Sequence, residues 1–83
     1  MANKHDLMDW CIEALEHLGG SAHHVDVAKQ VWQMHEHDLR QSGDLFYTWQ
    51  YDLRWAAQRL RDRGVLERVT GGGKGDGVWR LAC

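Results

Sequence analysis

Apolar residues recur at Leu7, Met8, Cys11, Ile12, Leu15 and Leu18, the i, i+3, i+4, i+7 spacing of one face of an amphipathic helix. The pattern predicts a helix over 5–18, with Asp6 near its start, where the helix dipole favours negative charge, and Gly19-Gly20 ending it. Ser21 and Ala22 read as a short connector with room for a small strand. A second helix is expected over 24–35, with Val27, Val31 and Met34 on one face and Ala28 beside them. Residues 36–48 are polar, contain Ser42-Gly43 and lack a sustained period, which predicts a long loop with one helical turn at most. A third helix is expected over 49–63, stopping at Gly64, with Arg61 and Arg63 in its last turn. Residues 65–70 and 78–82 alternate as strands around the glycine-rich turn Gly71–Gly77, and together they predict a β-hairpin.

Three helices followed by a hairpin within 83 residues is the order of a winged helix-turn-helix. The expected fold is therefore α+β, a single domain over 1–83 with its core between about 5 and 82. An isolated two-stranded hairpin is marginal in water, so Val65, Leu66, Val69, Val78, Trp79 and Leu81 are expected to feed the helical core.

The strings ALEHLGG, VAKQVWQM, LRWAAQRLRDRGVLERV and GDGVWRLA resemble the N-terminal winged-helix domain of Mrr-type restriction endonucleases. They are also similar to the HARE-type helix-turn-helix modules. Trp55-Ala56, Leu60, Gly64 and Leu66 carry most of the likeness, with Gly77-Val78-Trp79-Arg80-Leu81 closing the hairpin. The resemblance implies a DNA-targeting module of a restriction-modification, defence or regulatory protein, and the sharper option of methylated-DNA recognition. No nuclease domain lies within these residues, so any cleavage is expected from a domain or partner outside them.

Composition changes this picture in one respect. The net charge of −2 is set against a polyanionic partner, but it is unevenly spread. Residues 1–48 hold three Lys/Arg against eight Asp/Glu, whereas residues 49–83 hold seven against four. Screening confines each charge to about 10 Å at ordinary salt, so local sign matters more than the total. The basic half is where a phosphate backbone is expected to dock. Arg54, Arg59, Lys74 and Arg80 are expected to form one positive face there.

The third helix holds the remaining candidates. At 100° per residue, Trp49, Leu53, Ala56, Ala57 and Leu60 share the buried face, with Tyr51, Trp55, Gln58 and Asp62 roughly opposite. Arg54 and Arg59 flank that outer group. A helix in the major groove presents such a face: Gln pairs with adenine, Arg with guanine, and an aromatic ring touches a methyl group. Tyr51, Arg54, Trp55, Gln58, Arg59, Lys74 and Arg80 are therefore the expected DNA-binding residues. Trp55 has a second place open to it, folded onto the 36–48 segment as core, and the arginines a second role as merely solvated charges.

Other chemistry finds less purchase. Gly71–Gly77 lacks the following helix and the Gly-Lys-Ser/Thr end of a phosphate-binding P-loop. His23, His24, His35 and His37 lack metal-ligand spacing, and no nucleophile–base pair stands out, so no metal, cofactor or enzymatic activity is expected. Cys11 reads as a small core residue, and Cys83, the last residue, can dimerise on oxidation. The chain shows no apolar run near the roughly 20 residues of a membrane span, nor a basic-then-apolar leader. A cytoplasmic location is expected, nucleoid-associated in a bacterium. The leading expectation is binding to double-stranded DNA, with adenine methylation slightly favoured as the mark read. The alternative is a winged helix for protein–protein interaction, which the acidic first half and five tryptophans could serve.

Overall fold

A computed structural model of the chain describes residues 4–68 and 77–82. Three helices, α1 (Asp6–His17), α2 (His24–Arg40) and α3 (Leu45–Asp62), pack with three short strands, β1 (Ser21–His23), β2 (Leu66–Arg68) and β3 (Val78–Leu81). The fold is α+β. The apolar stripe of α1 meets α2 and α3 at Leu7, Cys11, Leu15, Val27, Val31 and Leu53, all 1 % exposed or less. Each such side chain contributes roughly 1.5–3 kcal/mol by leaving water, so this seam holds the helices together.

The segment 36–48, expected as a loop, is mostly helical. The second helix runs on to Arg40 through a kink at His35, whose backbone leaves the helical region at φ −129°, ψ 20°. The kink is held from α1: the His35 ring stacks on Trp10 at 4.0 Å and 7°, and its Nε2 lies 3.1 Å from the Glu13 carboxylate. Beyond the kink, Leu39 turns fully inward, and the Ser42 hydroxyl donates to the Asp38 carbonyl. The third helix then begins at Leu45, not at 49. Leu45 lies four residues before Trp49 and eight before Leu53, so it extends the same buried stripe by one turn.

The predicted hairpin is also corrected, because β3 is the centre of a three-stranded antiparallel sheet ordered β1-β3-β2. Ser21, Ala22 and His23 pair with Arg80, Trp79 and Val78, and Leu66, Glu67 and Arg68 pair with Leu81, Arg80 and Trp79. A strand with one partner leaves a row of backbone groups open, and β1 closes that row on β3. The pairing draws Trp79 down to 6 % exposure over the helices, with Leu66 at 3 %. Residues 69–76 lie outside the described residues, as does Cys83, so the expectations for Val69, Lys74 and a turn over Gly71–Gly77 fall there except at Gly77.

Two glycines are placed by geometry. Gly64, at φ +77°, follows α3 and lets the Val65 amide return to the Leu60 carbonyl at 2.9 Å, which closes the helix end. Gly77, at φ +88°, accepts from the His24 amide at 2.7 Å, and a Cβ there would sit 2.7 Å from the His24 ring. The turn into β3 is thereby sewn to the start of α2.

Candidate nucleic-acid interface

Starting α3 at Leu45 changes its outer face. Tyr47, Tyr51, Arg54 and Gln58 follow one another at i, i+4, i+7 and i+11, an exposed stripe along one side of the helix. Tyr47 and Tyr51 are 83 % and 77 % exposed, far more than large aromatic side chains usually are. Neither Tyr51 nor Arg54 has a hydrogen bond, ring contact or ion pair among the described residues. Tyr47 is absent from the expected DNA-binding residues because it lies inside the segment 36–48, expected as a loop. Its four-residue spacing from Tyr51 was the available signal.

The other expected residues sit differently. Gln58 is exposed, but its amide donates to Asp62 at 3.1 Å and its carbonyl accepts from Arg61 at 3.0 Å. Trp55 is half-buried and packs against the edge of the core. It lies beside the start of α1, edge-on to His5 at 5.5 Å, with Lys4 and Arg59 over its ring at 4.7 and 5.7 Å. Those cation–ring contacts contribute roughly 0.5–1 kcal/mol each at a surface. Arg59 therefore points to the α1 side of α3, while Arg54 stands about 140° away around the helix axis. Arg80, on β3, is held across the strands by Glu67, whose carboxylate takes its Nη2 at 2.6 Å and Nε at 2.9 Å. Its charge is compensated, and with Arg54 and Arg59 on different sides of α3 the expected single positive face is not assembled among the described residues.

A cleft of about 700 Å³ opens beside the stripe, between α2 and α3. Trp32 and Phe46 line one end, with Gln33 and Gln50 at its edge; His24, Lys29, Arg54 and Trp79 line the other. The Trp32 ring backs onto Trp49 at 5.8 Å and 15°. The cleft is not legible in the sequence, because its walls come from two helices whose relative angle no local pattern specifies.

His24 carries the chief electrostatic perturbation at this end. Burial, then the neighbouring His23 ring at 4.3 Å, then Arg54 hold its pKa below the ordinary value of 6.5. The unfolded chain binds this proton more readily, so acid favours unfolding below about pH 6.5 and the contribution is complete above it. His24→Gln should flatten the fall in melting temperature between about pH 7 and pH 5. An unchanged slope would show that other groups set it. Cys11, fully buried, has its thiol pushed up to about 12 and stays neutral.

Among the described residues, no three His, Cys, Asp or Glu side chains come together as a metal site, and no helix is long and apolar enough to cross a membrane. No family model, curated protein or solved structure matches the chain.

Proposed function

We propose that this chain is a winged-helix module that binds double-stranded DNA through α3, as the targeting domain of a restriction, defence or regulatory protein. The order α1-β1-α2-α3-β2-β3, with β1 added to the edge of β3, is compatible with that fold. The observation that carries the reading is the stripe of Tyr47, Tyr51 and Arg54, exposed on a helix that is firmly seated behind it by Trp49, Leu53 and Leu60. A rigid helix with an aromatic and cationic outer face suits the major groove, where Arg meets phosphate or guanine and a tyrosine ring meets a methyl group. The partly apolar ring of Tyr51 is suited to a methylated base, with N6-methyladenine slightly favoured. A nuclease domain or partner outside the chain would supply any cleavage.

The test is binding to three matched duplexes, unmodified, adenine-methylated and cytosine-methylated, each titrated with salt. Phosphate contacts make affinity fall steeply with salt. The rival reading, a protein-interaction module, draws on the aromatic cleft and predicts no duplex binding. Arg54→Ala should weaken all three duplexes about equally and lower the salt slope by about one unit. A loss confined to one duplex would move Arg54 from phosphate to base.

A further inference from the structure

We infer that the cleft between α2 and α3 receives a single nucleotide swung out of the duplex held on α3, an inference that rests on the DNA reading above. The volume, about 700 Å³, lies within the range of roughly 300–1,000 Å³ typical of small-molecule sites. Its two ends differ in chemistry in the way a nucleotide does. At one end the half-buried rings of Trp32 and Phe46 form an aromatic wall, backed by Trp49 and with the Glu36-paired Arg40 guanidinium over the two rings at 5.3 and 6.0 Å, so a base reaches the ring surface that Arg40 leaves open. Beside them Gln33 and Gln50 are exposed, and their carboxamides make no hydrogen bond among the described residues. A carboxamide carries both a donor and an acceptor, the pairing a base edge requires.

At the other end stand Lys29 and Arg54, exposed and without an ion pair among the described residues, with His24 next to them. Lys29 is one helical turn from Gln33 on α2, and Arg54 one turn from Gln50 on α3, about 6 Å along each axis. The cleft thus sets cations one turn from amides along both walls, matching a phosphate beside its own base. An acidic peptide would engage the same cations, rings and carboxamides, since its backbone also carries a donor and an acceptor, so it is the place of the cleft that separates the two. The position of the cleft points to a nucleotide from the bound duplex, because Gln50 and Arg54 also border the stripe of Tyr47 and Tyr51. A strand lying along α3 passes the mouth of the cleft.

The test compares duplexes identical except for one central pair, matched or mismatched, by fluorescence anisotropy with the 83-residue chain. A mismatched base is already partly unpaired, so the wild type should bind the mismatched duplex about tenfold or more tighter. Ala28→Phe, which fills the cleft, should bring that ratio close to one. Gln33→Ala, at an exposed position, should reduce it several-fold and serves if the Phe variant does not fold. Thymine opposite the target should become reactive to permanganate in the wild-type complex. Equal affinities for the two duplexes with a protected thymine would overturn the inference while leaving DNA binding intact. Free nucleoside monophosphates or an acidic peptide competing for the cleft, with no mismatch preference, would overturn it equally. Failure to bind any duplex would instead remove the DNA reading on which it rests.

Discussion

Leu53→Ala should destabilise the domain by about 2–5 kcal/mol, the range for truncating a buried leucine. Leu53 is 1 % exposed and lies midway along α3, within the core cluster that all three helices supply. The substitution removes packing from the core cluster and deepens the floor of the cleft, which Leu53 lines. A domain of this length is stable by roughly 4–12 kcal/mol, so the loss consumes much of the total. Thermal or urea denaturation should show a large fall in midpoint. A change below about 1 kcal/mol would mean that α3 is not seated on its Leu53 face, and the outward stripe would be misplaced with it.

Tyr51→Ala, two residues away, should leave the melting temperature almost unchanged and instead alter which duplex is preferred. A lost base contact is worth roughly 1–3 kcal/mol, about ten- to a hundredfold in affinity for the favoured duplex. Tyr51 is 77 % exposed and makes no hydrogen bond, ion pair or ring contact among the described residues, so its removal costs the folded state little. Gln58→Ala should have a smaller effect, because the Gln58 amide must first leave Asp62 and Arg61 before it can reach a base. Competition among the unmodified, adenine-methylated and cytosine-methylated duplexes measures both variants. If Tyr51→Ala weakens all three alike, the ring positions the backbone and the methyl-reading proposal fails.

Local regularity was readable in the chain. The stripe of α1, the stop at Gly64, and the alternation of residues 65–68 and 78–81 each follow from spacing within one segment. The buried face of α3 was likewise correct at Trp49, Leu53, Ala56, Ala57 and Leu60, because a helix fixes which residues share a side. The burial of Cys11 followed from the same arithmetic. Tyr51 and Arg54 were found as outward residues for that reason too.

The tertiary structure decided what depends on neighbours. Residues 36–48 carry too few apolar positions to show a period, yet Leu39 and Leu45 are buried because α1 catches the kink at His35 and returns the chain toward the core. The side of Trp55 depended on where α1 begins, since Lys4 and His5 meet its ring from 51 and 50 positions away in the sequence. Arg80 looked like a free cation until strand register set Glu67 opposite it. The cleft exists only through the angle between α2 and α3. Periodicity within a segment determines which way a side chain faces, whereas its partner is determined by packing between segments, and the chemistry of this surface depends on both.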